Sequence, residues 1–143
     1  MLRVLIVDDD ARDLAQIQAA VVKECGNECQ LTVARTEIEA YESIDEGQRF
    51  DMAVIDLYLS LPEKPYGQEE GFRVISRLHE NQPDCRIIAK TTRMALSDAR
   101  RALQYGASDV ISSKWDKLDY SELLQQRISF WNRMIAPTVA IAN

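Results

Sequence analysis

Leu2 to Asp10 reads LRVLIVDDD, and this stretch decides the fold. Its first six residues form a short, β-branched and nearly continuous apolar run, the pattern of a strand covered on both faces. Three aspartates follow at once, so the strand ends in charge rather than in a simple turn. Leu14, Ile17 and Val21 then recur at helical spacing, and Gly26-Asn27 supplies a stop. A central strand followed by an amphipathic helix is the unit from which the rest can be read.

The unit repeats along the chain. Gln30 to Ala34 reads as a second strand, and Ile38, Tyr41 and Ile44 put an apolar stripe on a second helix ending near Gly47. Met52 to Ile55 is a third buried strand, closed by Asp56, and Phe72, Ile75 and Leu78 mark a third helix starting near Gly71. Arg86 to Ala89 makes strand four, with Leu96, Ala99 and Leu103 as the buried face of helix four and Gly106 as its cap. Val110 and Ile111 form a short fifth strand. Leu118 to Met134 is a last helix, with Leu124, Ile128 and Trp131 at helical spacing before Pro137. Such alternation implies an α/β fold with a doubly wound, five-stranded parallel sheet and five helices, because right-handed crossovers leave few other arrangements.

Composition narrows the class. The 143 residues suit one domain, and 46% hydrophobic content with 5 Gly and 4 Pro excludes disordered and fibrous classes. A formal charge of -6, from 23 acidic against 17 basic side chains, argues against general nucleic-acid binding. Cys25, Cys29 and Cys85 are odd in number and lack CxxC spacing, and the single His79 is far from them in sequence. A zinc site or disulfide framework is therefore not expected. The apolar start is too short for a signal-peptide core, and no stretch approaches the length of a membrane helix. These features predict a cytoplasmic protein.

In a doubly wound sheet, sites lie beyond the carboxyl ends of the strands. The residues there are Asp8, Asp9 and Asp10; Asp56; Thr91 and Thr92; and Ser112, Ser113 and Lys114. Carboxylates crowded into one small cleft repel one another unless a cation sits among them, and an oxygen-only site of this size suits Mg²⁺. An aspartate beside that ion can attack phosphorus, and Asp56, standing alone after its strand, is the candidate nucleophile. A hydroxyl and an ammonium, from Thr91 and Lys114, are placed to grip the transferred group's oxygens. Asp10 reads as the helix cap, and capping is also the bland reading of Asp8 and Asp9.

Over almost all its length the chain resembles the receiver domains of two-component response regulators, in the CheY-like superfamily. VLIVDDD, AVIDLYL, PDCRIIAKTT and QYGASDVISSKW carry the resemblance by their order and strand-end placement. It implies a flavodoxin-like sheet of order 2-1-3-4-5. It also implies Asp8 and Asp9 as the acidic pair at Mg²⁺, the second directly and the first through water, with Tyr58 giving a backbone carbonyl. Asp56 becomes the phosphorylation site, Thr91 the switch hydroxyl and Lys114 the phosphate-binding lysine. The implied partner is a histidine kinase or histidine phosphotransfer protein, and the implied output is a conformational switch altering protein contacts. Neither nucleic acid nor membrane is an expected partner, and a homodimer is left open.

Three features depart from the family pattern. Lys114 falls one residue late, either through a bulge or because Ser113 takes its slot. The connection Leu57 to Glu70 is about seven residues longer than the family pattern. Val110 stands where many members carry an aromatic. Residues 1-136 are expected to form the receiver domain and 137-143 a short tail. The chain is expected to accept phosphate without being an enzyme in its own right. Two alternatives remain: a phosphorylation-independent pseudo-receiver, and a haloacid-dehalogenase-like phosphatase using Asp8 in a D-x-D motif.

Overall fold

Alternating apolar runs and amphipathic stretches become strands and helices in strict succession in the computed structural model, which describes residues 1–59, 69–92, 96–112 and 120–142, the side chains of 27 and 136–142 excepted. The strands are β1 (Leu2–Val7), β2 (Cys29–Ala34), β3 (Met52–Asp56), β4 (Arg86–Thr91) and β5 (Asp109–Ser112). The helices between and after them are α1 (Ala11–Cys25), α2 (Glu37–Asp45), α3 (Glu70–Asn81), α4 (Leu96–Tyr105) and α5 (Tyr120–Ala142). Every ladder is parallel and the strand order is β2-β1-β3-β4-β5. This is the flavodoxin-like arrangement expected from the sequence.

Side chains alternate across the sheet, so each strand feeds two cores. Leu5, Val7, Ala53, Ile55, Ile87 and Ala89 face one way and pack with α2, α3 and α4. Val4, Ile6, Met52, Val54 and Ile88 face the other way and pack with α1 and α5. Helix ends are set locally. The Asp10 carboxylate accepts from the backbone N–H of Arg12 and of Asp13, at 2.9 and 3.0 Å, and starts α1. Thr36 caps α2 by accepting from Glu39 N–H at 3.1 Å. Gly106 ends α4 at φ +122, and a Cβ there would strike the His79 side chain, so only glycine suits this corner.

Three expectations about helices change. Leu96 and Leu103, read as the inner face of α4, are 82% and 52% exposed, and the helix instead buries Asp98 and Ala102. Short side chains at these i, i+4 positions let α4 lie close to α3 and β5, while the leucines turn outward. Ile38 on α2 is likewise exposed, and Ala40 and Ile44 supply the contact. In addition, α5 does not stop before Pro137 but carries helical backbone to Ala142. Proline there forfeits the bond to the Arg133 carbonyl, and Arg133 is exposed, so water can serve that oxygen.

Candidate functional site

Strand register gathers the site. Val7 pairs with Ile55, so Asp8 and Asp56 emerge side by side at the carboxyl ends of β1 and β3. Asp8, Asp9 and Asp56 each bring a carboxylate oxygen to within 4.8 Å of the others. Two strands distant in sequence thus deliver three acidic groups to one place. Asp8 is fully buried, and its Oδ1 accepts from Asp10 N–H at 3.0 Å. Asp56 Oδ1 accepts from Tyr58 N–H at 3.1 Å, which folds the chain after β3 back over the carboxylate. Gly71 permits the close return of α3: a Cβ there would collide with the Asp56 carbonyl and come 2.5 Å from Leu57 Cα. Its N–H donates to the Leu57 carbonyl at 3.2 Å.

Among the described residues one cation enters this cluster, a lysine that the strand-end pattern does not single out. Asp56 is directly paired with Lys90 on β4, and alternation sends both toward the α1/α5 face shared with Val54 and Ile88. Lys90 Nζ lies 2.5 Å from Asp8 Oδ2, 3.0 Å from Asp13 Oδ2 and 3.8 Å from Asp56 Oδ2. Its side chain is 2% exposed. Asp13 was likewise missed, although it lies one turn into the helix that Asp10 caps. The available signal was period two in RIIAKT, which puts Lys90 on the same face as Ile88.

Electrostatics follow from burial first. Asp56 is pushed up from 3.8 to about 7 by loss of solvent, with Lys90 opposing and the charges of Asp8 and Asp9 reinforcing the rise. Asp8 is also raised, again chiefly by burial and against the pull of Lys90. Burial disfavours the charge on Lys90, but Asp56, Tyr120 and Asp8 together outweigh it and hold the ammonium above its ordinary value. Tyr120, at the start of α5, is pushed up to about 12, mainly by its own burial.

The donor set can be judged against a divalent ion. It is all oxygen, as Mg²⁺ prefers, and ligands about 2.1 Å from such an ion stand roughly 3–4 Å from one another. A spread of no more than 4.8 Å therefore fits the ion with small adjustments.

The remaining candidates are distributed around this centre. Thr91 is the last residue of β4, buried, and shares the face of Ile87 and Ala89, turned to the α3/α4 side. Tyr58 is half-buried; besides its N–H contact with Asp56, its hydroxyl donates to the buried Asp98 on α4 at 2.7 Å. Its ring meets Phe72 edge-on at 5.8 Å, and Phe72 meets Tyr105 at 6.0 Å. That aromatic run beside α4 accompanies Val110, which is only partly buried. Lys114 and most of the long connection after β3 lie outside the described residues. Trp131 packs on the α1/α5 core and donates to Asp109 at 3.0 Å.

Comparison with known proteins agrees with this geometry. The family model of the response regulator receiver domain matches residues 4–125. The photosynthetic apparatus regulatory protein RegA of Rhodobacter capsulatus is 31% identical over 120 residues, covering 84% of this chain and 59% of that protein. The chain therefore spans under two thirds of that relative's length. A CheY-like receiver domain protein from Methanospirillum hungatei JF-1 superposes with a TM-score of 0.66 at 25% identity, over 94% of this chain and 98% of that one. A response regulator of Burkholderia pseudomallei, solved with a phosphorylated aspartic acid and a calcium ion, gives 0.69 at 19% identity over 100% of this chain and 75% of that one. The chain belongs to the response regulator receiver domain family.

Proposed function

We propose that this receiver domain takes a phosphoryl group on Asp56 in a reaction that depends on Mg²⁺, and that the added charge switches its contacts with other proteins. The single observation carrying the reading is the convergence of Asp8, Asp9 and Asp56 at the ends of two non-adjacent stretches of chain. Asp8 and Asp9, with Asp56 and the backbone carbonyl of Tyr58, would hold Mg²⁺, which supplies charge neutralisation for the phosphoryl oxygens. An Asp56 oxygen forms the new O–P bond as the donor's P–N or P–O bond breaks and the leaving group departs with that electron pair. Thr91 and Lys114 would hold the transferred oxygens. The Burkholderia pseudomallei regulator, solved with a phosphorylated aspartic acid and a calcium ion, supports the reading of an aspartate as phosphoryl acceptor.

A histidine kinase or histidine phosphotransfer protein is the donor in this reading, and the chain is an acceptor rather than a multiple-turnover enzyme. The setting in this reading is cytoplasmic; among the described residues no helix is long and apolar enough to cross a membrane. The phosphatase alternative would use Asp10 as its acid. Asp10 is instead engaged with the first turn of α1, whose N–H groups hold its carboxyl below the ordinary value, the wrong direction for a proton donor. The test is to incubate the protein with Mg²⁺ and acetyl phosphate or phosphoramidate and weigh it intact. A gain of one phosphoryl group that vanishes in Asp56→Asn is expected. No gain, or a gain indifferent to that change, overturns the reading.

A further inference from the structure

Lys90 belongs to none of the roles assigned so far, yet it is buried in the site beside Asp8. A lysine on a central strand, 2% exposed, would be costly if its charge were not met by partners. Here the partners come from three separate elements: Asp8 after β1, Asp13 on α1 and Asp56 on β3. Both oxygens of Asp8 are engaged, Oδ1 by Asp10 N–H and Oδ2 by Lys90. Asp56 is similar, with Oδ1 on Tyr58 N–H and Oδ2 facing Lys90. The buried hydroxyl of Tyr120, which has no hydrogen-bond partner among the described residues, lies within electrostatic reach of the same group.

We propose that Lys90 is the resident counter-cation of the acidic pocket: it holds Asp8, Asp13 and Asp56 together before a divalent ion arrives, and it competes with that ion for Asp8 and Asp56. The inference rests on the reading that the pocket takes Mg²⁺. Its physical content is simple. An ion entering among Asp8, Asp9 and Asp56 must share the Asp8 carboxylate with an ammonium already in contact, and two cations at such range repel strongly in a poorly solvated cleft. Asp13 gives Lys90 a partner outside the set of candidate ion ligands, so the lysine can keep one bond while yielding the others. The pocket then exchanges one cation for another rather than filling from an uncompensated state. Its affinity for Mg²⁺ is lower, and its ion-free form more stable, than three bare carboxylates would give.

The experiment is a calorimetric titration with magnesium chloride of the wild-type chain, Lys90→Met and Lys90→Gln, together with thermal melts in chelator. Both variants are expected to bind Mg²⁺ about tenfold more tightly or better, and to melt lower than wild type when the ion is removed. Equal or weaker binding by both variants, with wild type binding normally, overturns the inference and leaves the proposed function standing. Binding by neither wild type nor variants overturns both. Should the variants fail to fold, the wild-type protein labelled at lysine Cε decides the matter: the Lys90 signal is expected to move as Mg²⁺ saturates the site. A signal that stays in place at saturation overturns the inference.

Discussion

Replacing Asp56 by asparagine should stabilise the ion-free protein, although the residue sits at the centre of the site. Its carboxyl goes from 3.8 to about 7 on folding. At about 1.36 kcal/mol per pH unit, that difference corresponds to roughly 4 kcal/mol of strain when the group is ionised. The side chain is 14% exposed and asparagine forgoes the attraction to Lys90 at 3.8 Å, so about 2 kcal/mol is the expected gain. For a chain of this length that is a rise of about 6 °C in Tm. The sign with pH follows from proton counting. Between the two values the folded state binds more protons than the unfolded one, so wild-type stability falls as pH rises from about 4 to about 7. Melts of both proteins in chelator at about pH 8 and about pH 5 should show the gap shrinking by more than half at the lower pH. With saturating Mg²⁺ the gap should narrow or reverse, because the ion binds the folded wild type. An asparagine variant that melts no higher than wild type in chelator at the upper pH, or a gap independent of pH, refutes the reasoning.

Other perturbations test separate parts of the structure. Tyr58→Phe removes the hydroxyl that Asp98 accepts from at 2.7 Å, and should cost about 1–2 kcal/mol while hastening amide exchange along α4. Unchanged exchange there would mean that Tyr58 does not tether that helix. Gly71→Ala pushes a Cβ into the backbone of Asp56 and Leu57, and should lower stability by roughly 2–3 kcal/mol, read from the denaturant midpoint. Arg77→Ala, by contrast, breaks an exposed pair with Asp45 on α2 and removes the guanidinium 4.4 Å over the Tyr41 ring, and should shift the same midpoint by no more than about 1–2 kcal/mol.

The fold was legible because each strand announces itself as an apolar run and each helix as a stripe. The acidic cluster was legible because strand ends in a parallel sheet converge. Lys90 was not, since its charge reads as the end of a strand at Ala89, whereas β4 continues to Thr91. A charged residue inside a strand becomes tolerable only when other elements bring countercharges, and that information lies in Asp8, Asp13 and Asp56, far away in the chain. The face of α4 was misread for a related reason. Periodicity pointed to Leu96 and Leu103, but the Tyr58 hydroxyl draws Asp98 inward and Ala102 follows on the next turn. Partners from another segment overrode the local pattern in both places.

The hydrogen bond from Gly71 to Leu57 has a bearing on how this protein could be remade. It joins the two ends of the connection after β3, with Asp56 just ahead of one anchor and the other already in the first turn of α3. Whatever chain runs between those anchors is attached to fixed ground, and lengthening it costs entropy only with the logarithm of its length. A graft between them is therefore expected to leave the β3–β4 register at Asp56 unchanged, because both anchors are held by the strand and helix on either side.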